Sequence, residues 1–262
     1  MDNVVITSQK QQVRIITLNR PDFLNAINEN LIERLVEELC AANNDDTVKV
    51  IVLNGAGKAF CSGDDIQGTL QSIEGKKDPT GMASNREQSA KNLQDVTREI
   101  LYGNKFVIGA IHGWAVGAGF EWAMNCDFSI WTETARAFFP EMKWGMFPTG
   151  GITYLLPRMV GLVKARELLL FGEKQTARQL LDMGLCWKVV EDDDLMQTTL
   201  EVANTIAKLP EDSVQGLKKA INLTCFNVLE NTLDMEVSQL LEAINNPRTA
   251  ELLGEFKPKI QP

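Results

Sequence analysis

The chain has a single histidine, His112, and no two cysteines in a C-x-x-C pair. A transition-metal site built from imidazoles and paired thiolates is therefore not expected. The five cysteines (Cys40, Cys61, Cys126, Cys186 and Cys225) are odd in number and scattered. They read as reduced, mostly buried thiols rather than a disulfide framework. A Ser-His-Asp triad would have to use His112, and no G-x-S-x-G elbow supplies its serine. His112 closes an apolar strand and reads as structural. Gly55-Ala56-Gly57-Lys58 is too short for a phosphate loop of the G-x-x-x-x-G-K-[ST] type. Gly117-Ala118-Gly119 lacks the third glycine of a dinucleotide fingerprint, because Trp122 stands in its place.

Long apolar runs are also missing. None reaches the roughly 18 residues of a membrane helix. The first residues carry no basic n-region or Arg-rich presequence, and Ile260-Gln261-Pro262 is no peroxisomal tag, so a cytoplasmic protein is expected. Positive charge is in deficit: 26 Lys and Arg against 35 Asp and Glu give a net charge of −9. That balance opposes binding to nucleic acid or anionic membrane, although a local basic patch could still grip a phosphate. With 262 residues, 44% hydrophobic and 23% charged, the chain suits one large domain with a helical appendage. The division is expected at a core of residues 1–195 and a helical region of residues 196–262.

What is present is an alternation of strand and helix. Residues 4–6 and 13–18 read as strands, and 48–53, 106–111 and 127–130 as buried ones. Apolar positions 27, 31, 32, 35, 36 and 39 have the spacing of an amphipathic helix over 26–42. Residues 89–101 and 118–125 also read as helical, and 68–85 as a mobile connection. This order predicts an α/β protein with parallel βαβ units. From residue 164 onward helices dominate, near 164–171, 176–183, 195–208, 211–226 and 230–245.

Two of the predicted strands feed glycine-bearing loops of one design. The first is Phe60-Cys61-Ser62-Gly63-Asp64-Asp65-Ile66, and the second runs from Gly113 through Gly117-Ala118-Gly119. Small residues let the backbone bend and leave N–H groups unpaired, in the second case at a helix N-terminus. Two such donors meeting at one point would make an oxyanion hole. The same glycines could equally serve close packing of strand against helix. Glu121 follows the second loop among Phe120, Trp122, Ala123 and Met124, and Glu141 follows Pro140. A carboxylate in such apolar company has its pKa raised and can move protons near neutrality. Each glutamate could instead be a helix-terminus acid.

Taken together, these segments resemble the crotonase (enoyl-CoA hydratase/isomerase) superfamily over nearly the whole chain. The motifs are Leu18-Asn19-Arg20-Pro21 with Asn25-Ala26, residues 59–66, and residues 110–121 with Cys126-Asp127. Phe139-Pro140-Glu141, Gly145, Pro148, Gly150-Gly151, Gly161 and Gly184-Leu185 follow in order. The resemblance implies a spiral of repeated ββα units with a helical C-terminal region that drives trimer, or dimer-of-trimers, formation. It implies an acyl-CoA substrate, no further cofactor and no metal. Carried over by position, it makes the N–H groups of Asp64 and Ala118 the oxyanion donors, and Glu121 and Glu141 the acid/base pair of two-glutamate hydratases. Ser62, Gly63, Asp65, Ile66 and Gly117, with Lys58 and Arg20, are the implied substrate and CoA contacts.

The implied reaction adds water to a 2-enoyl-CoA, with ionised Glu121 as base and protonated Glu141 as acid, or the reverse. Isomerisation, hydration coupled to carbon–carbon cleavage as in phenylpropenoyl-CoA hydratase/lyases, and a catalytically inactive CoA-binding protein are the alternatives. Three features depart from the family pattern: Ala118 for the usual glycine, Asp64 for a small or apolar residue, and a Pro148-Thr149-Gly150-Gly151 segment one residue short. With Trp114, Phe120, Trp122 and Trp144 nearby, an aromatic-lined pocket for a branched, aromatic or terpenoid acyl group is expected, unless those rings simply fill core.

Overall fold

The computed structural model describes residues 3–73, 86–226 and 228–255. Strands β1 (Val5–Lys10) and β2 (Val13–Leu18) are followed by helix α1 (Glu29–Asn43), β3 (Val50–Gly55), α2 (Ile66–Ile73) and α3 (Arg86–Tyr102). Next come β4 (Phe106–Ile111), β5 (Trp114–Val116), α4 (Ala118–Asn125), β6 (Phe128–Thr132) and β7 (Arg136–Phe138). Helices α5 (Ile152–Val160) and α6 (Leu162–Phe171), strand β8 (Gln175–Thr176), α7 (Ala177–Asp182) and β9 (Lys188–Val190) complete the mixed part. The chain then runs through α8 (Leu195–Ala207), α9 (Glu211–Cys225), α10 (Leu229–Asn245) and α11 (Pro247–Gly254).

The main sheet has the order β1-β2-β3-β4-β6-β9, parallel throughout except for the β1–β2 hairpin. That antiparallel pair joins the parallel units that the sequence pattern predicts. Lys10 pairs with Val13, leaving a two-residue turn whose Gln11 takes φ 53, as such tight turns require. Side chains alternate across the sheet with period two. Ile16, Leu18, Ile51, Leu53, Val107 and Ile111 face the large core shared with α1, α3 and α4. Val13, Ile15, Val50, Val52, Ile108 and Ala110 face α8 on the other side. The helical third therefore begins with a helix that covers the sheet. A second, small sheet, β5-β7-β8, stands beside the first.

The connection expected over 68–85 starts as helix, since α2 runs to Ile73; residues 74–85 lie outside the described residues. The short strands β5, β7, β8 and β9 had no expectation, because two or three residues carry no readable alternation. Helix α5 contains Pro157 and α11 opens at Pro247, after Asn246, whose side chain accepts the Arg248 N–H. Both proline-bearing stretches were passed over as helices.

Candidate active site

Each of the two glycine loops continues a parallel strand of the main sheet, and the loops lie side by side. Cys61 and Ala115 form a parallel bridge, with the Cys61 N–H donating to Trp114 O (3.0 Å) and the Val116 N–H to Cys61 O (3.0 Å). Asp64 and Ala118 each stand three residues beyond a member of that bridge, so the two loops deliver them in step. Gly63 takes φ 81, and a Cβ there would press within 2.7 Å of Val116 O. Among the described residues no acceptor takes the N–H of Asp64 or of Ala118. The Asp64 neighbours are satisfied instead: Ile27 N–H donates to Gly63 O (2.8 Å) and Asp65 N–H to Ile27 O (3.0 Å). Two backbone donors are left free beside each other, one of them at the N-terminus of α4.

Asn25 holds the first loop in place. It is fully buried at φ 57, and its Nδ2 donates to the carbonyls of Ala56 (2.9 Å), Ala59 (2.8 Å) and Phe60 (3.1 Å). Its Oδ1 accepts the Arg20 N–H (2.8 Å). Asparagine suits both tasks, since it tolerates the left-handed region and offers two donors.

Glu121 and Glu141 are buried, at 1% and 8% exposure. Glu121 sits in the first turn of α4, a helix buried on every side. Its Oε2 accepts the Gly150 N–H, and a Cβ at Gly150 would lie 3.2 Å from the Glu121 Cβ and Cδ. Glu141 opens a 3-10 turn, Glu141–Trp144, that ends at Gly145 with φ 65. Thr249 on α11 lies with its Oγ1 3.0 Å from the Gly145 carbonyl, tying this turn to the C-terminal helices. Gly117, at φ 53, leaves room for Glu141: a Cβ there would sit 2.6 Å from Glu141 Oε1. Glu141 therefore packs against the residue that precedes Ala118. Five buried side-chain polar atoms among the described residues have no hydrogen-bond partner, and two of them are Glu121 Oε1 and Glu141 Oε2. Such atoms are costly in a folded interior, and their concentration on one acid pair marks a place for a ligand or water.

Electrostatics push in one direction. Burial raises the Glu121 carboxyl well above its ordinary range, and the negative charges of Glu141, Glu236 and Asp64 add to it. Against this the Gly150 N–H favours its anion. Burial carries Glu141 up to about 8, with Asp64 adding repulsion and Glu141's own backbone N–H opposing. Two carboxyls so placed cannot both ionise easily at neutral pH, so together they hold a proton. A backbone N–H favours the anion of each acid, that of Gly150 for Glu121 and its own for Glu141.

The sequence profile of the family described as enoyl-CoA hydratase/isomerase matches residues 8–262. The chain belongs to the enoyl-CoA hydratase/isomerase family. Its membership of the crotonase superfamily follows, and the fold agrees with it. Relatives carry more than one activity in their names. The chain is 33% identical to the 1,2-epoxyphenylacetyl-CoA isomerase of Escherichia coli K12, over 90% of this chain and 88% of that one. It is 36% identical to the short-chain-enoyl-CoA hydratase of Clostridium acetobutylicum, over 84% of this chain and 81% of that one. Among solved structures, an enoyl-CoA hydratase from Mycobacterium avium is 30% identical with a TM-score of 0.76, covering 92% of this chain and 96% of that one. An enoyl-CoA hydratase from Bacillus halodurans superposes with a TM-score of 0.89 at 24% identity, over 97% and 100%, a likeness of fold.

In this crotonase-superfamily chain the remaining predicted contacts separate. Ser62, Gly63, Asp65 and Ile66 stay on the first loop and its exit, and Gly117 caps α4. Arg20 is engaged locally: its guanidinium donates to Ala26 O, reaches Asp65 Oδ2 at 3.5 Å and stacks 4.8 Å from the Phe23 ring centre. It supports the first loop. Lys58 is exposed and lines a groove of about 540 Å³ together with His112. His112 Nε2 lies 3.0 Å from Gly57 O, the structural part expected of it. The aromatic pocket is not assembled as expected. Phe120 and Trp122 are fully buried core, Phe120 packing on Trp131 and Phe139, while Trp114 meets Phe138 and the Lys174 ammonium in the small sheet. Trp144 alone joins the cluster beside Glu141, with Ile66, Leu70, Met146, Phe147, Val237 and Leu240.

Glu236 has no place in the sequence reading, and Asp64 enters it through its backbone N–H and as a departure from the family pattern. Glu236 on α10 is fully buried, and the Asp64 side chain, half-buried, adds charge beside both glutamates. Burial, then Asp65, pushes Asp64 up to about 6. Glu236 is an acid at a buried position of an amphipathic helix, and that break in pattern was its available signal. Among the described residues no three His, Cys, Asp or Glu are grouped to hold a metal ion, and no helix is long and apolar enough to cross a membrane.

Proposed function

We propose that this protein adds water across the double bond of a 2-enoyl-CoA to give the 3-hydroxyacyl-CoA. The observation that carries the reading is the pair of unpartnered carboxyl oxygens, Glu121 Oε1 and Glu141 Oε2, buried beside two free backbone donors. A thioester oxygen received by the N–H groups of Asp64 and Ala118 would accept the enolate charge as it develops. A donor of this kind is typically worth about 10²–10³ in rate. Water held between the carboxyls would lose a proton to Glu121 as its oxygen attacks the β-carbon, and Glu141 would deliver one to the α-carbon. Each acid/base group is worth about 10²–10⁴.

The hydratases among the relatives support this reading, and the retention of two acids favours hydration over isomerisation, for which one acid suffices. The coenzyme A portion would lie along the first loop, near Ser62 and Gly63. The acyl group would extend toward the apolar cluster of Ile66, Leu70, Trp144, Met146 and Phe147. That cluster, with four uncompensated carboxyls near it, suits a neutral acyl chain. Exposed apolar residues such as Leu162, Val163, Leu170 and Phe171 offer surface that a trimer or a dimer of trimers would cover.

The test is turnover of a panel of enoyl-CoA esters, with product masses. Hydration adds the mass of one water, isomerisation leaves the mass unchanged, and cleavage releases a smaller thioester. Glu121→Gln and Glu141→Gln should each lower the hydration rate about 10²–10⁴-fold. Unchanged turnover in both variants would sink the mechanism.

A further inference from the structure

Glu236 is a fully buried carboxyl that the reaction above does not use. It sits on α10 and faces the start of α5. Its Oε2 accepts the Gly151 N–H (2.8 Å), and its Oε1 accepts the Thr153 N–H (3.1 Å) and hydroxyl (2.6 Å). The next N–H upstream, that of Gly150, donates to Glu121. Two consecutive backbone N–H groups thus hold two different carboxyls, one on each side of a strap at Gly150-Gly151. The strap's own carbonyl at Gly150 is fixed from α4, where Asn125 Nδ2 donates to it (3.1 Å). Gly151 takes φ 80 where the strap turns into α5.

We propose that Glu236 is a positioning residue for the acid/base pair: its charge anchors the Gly150-Gly151 strap and sets how strongly Glu121 holds a proton. The inference rests on the hydratase reading for its kinetic meaning, but its electrostatic part stands on the geometry of the strap. Among the described residues no cation pairs with Glu236. On α3, Arg98 is taken up by Asp95 and Glu230, and Gln94 donates to Leu233 O on α10. On α5, the Arg158 guanidinium lies over the Tyr154 ring. The groups that face Glu121 are Glu141, Glu236 and Asp64, all acids. Three donors and no acceptor surround the Glu236 oxygens, an arrangement that favours the carboxylate. Burial opposes them and carries the group up to about 7. Above that pH the Glu236 charge stands behind Glu121 and strengthens its hold on a proton.

Two substitutions separate charge from position. Glu236→Gln removes the charge and nearly preserves size; Glu236→Asp keeps the charge and shortens the reach to the strap. The experiment follows the side-chain carboxyl resonances of Glu-labelled protein across pH, with Glu121 assigned by its loss in Glu121→Gln. In Glu236→Gln the Glu121 midpoint should fall by about one pH unit, the scale set by an uncompensated neighbouring charge. Both limbs of the pH profile of kcat/KM on the preferred enoyl-CoA should move to lower pH with it. Glu236→Asp should leave those limbs in place and lower kcat by about tenfold or more, because the strap and Glu121 shift together. If Glu236→Gln does not fold, Thr153→Ala removes one donor, lets Glu236 keep its proton to higher pH, and should lower the Glu121 midpoint by a smaller step. A Glu121 midpoint unmoved in folded Glu236→Gln, or in Thr153→Ala where that variant takes its place, would overturn the proposal. A wild-type protein that hydrates no enoyl-CoA, with the midpoint still moving, would overturn the reaction and leave the coupling standing.

Discussion

Gly150→Ala tests the placement of Glu121 with one methyl group. No positive φ is involved at Gly150, so alanine brings no backbone strain and acts only through the space it occupies. That space belongs to Glu121, whose Oε2 lies inside the contact radius of the new Cβ and whose Cβ and Cδ lie 3.2 Å away. The neighbour that must yield is the short, buried side chain of the proposed base. Moving it breaks the Gly150 N–H bond to a carboxylate, worth about 1.5–3 kcal/mol. A displacement of about 1 Å at a reacting group costs about 10²-fold, and full loss of the base up to about 10⁴-fold. We expect kcat/KM to fall by about 10²–10⁴, with KM little changed because the proposed coenzyme A contacts lie on the other loop. Overpacking of about 1–3 kcal/mol should lower Tm by roughly 2–10 °C. Initial rates of loss of the enoyl thioester absorbance and a thermal melt read the two effects. Gly216→Ala, where an added Cβ meets nothing within 4 Å, is the control and should keep full activity. Wild-type kcat/KM together with an unchanged Tm in Gly150→Ala would refute the geometry on which the site is built.

Asn25→Ala would leave two buried carbonyls and a part-buried one without their donor and put alanine in a left-handed conformation. A loss of about 3 kcal/mol or more in chemical denaturation is expected, and under 1 kcal/mol would contradict the pinning role. A carboxyl whose folded pKa is raised stabilises the fold below its ordinary value of 4.5 and loses that contribution as pH climbs through about 8, as for Glu141. Glu141→Gln should therefore raise Tm by several degrees at pH ~8.5 and by far less at pH ~5. Equal shifts at both would disprove the desolvation. Enoyl-CoA esters ending in a carboxylate should be turned over about tenfold or more less efficiently than neutral esters of equal length, since Asp64, Glu121, Glu141 and Glu236 offer them only repulsion. Preference for the anionic ester would show that an unsuspected cation reaches the acyl group.

How much of this was legible in the chain differs from element to element. The strands at 13–18 and 106–111 and the helix over 118–125 declare themselves, because runs of β-branched or apolar residues bounded by glycine or by Asn19-Arg20-Pro21 have few other solutions. The bends at Gly63 and Gly117 were legible because glycines are local constraints, whereas the choice of Asp64, Ala118, Glu121 and Glu141 came from the family resemblance, since the residues alone left packing and helix-end readings open. Trp122 misled for the complementary reason: adjacency to Glu121 in sequence places it on another face of the helix, in the core. Glu236 was invisible as a partner of Glu121, since 115 residues separate them and only the packing of α4 and α10 around the Gly150-Gly151 strap brings the two acids onto neighbouring peptide N–H groups.

The sequence by itself determined the backbone that bends at Gly63 and Gly117, the acids that follow it, and the order of strands and helices. These depend on steric freedom and on apolar spacing over a few residues. Tertiary structure alone decided that Cys61 bridges Ala115 so the two free N–H groups stand side by side. It also decided which carboxyl oxygens go unpartnered and how four acids come to share one buried neighbourhood. Those are sums over contacts between distant segments, and burial, which sets the proton affinity of each acid, exists only once the chain has closed around it.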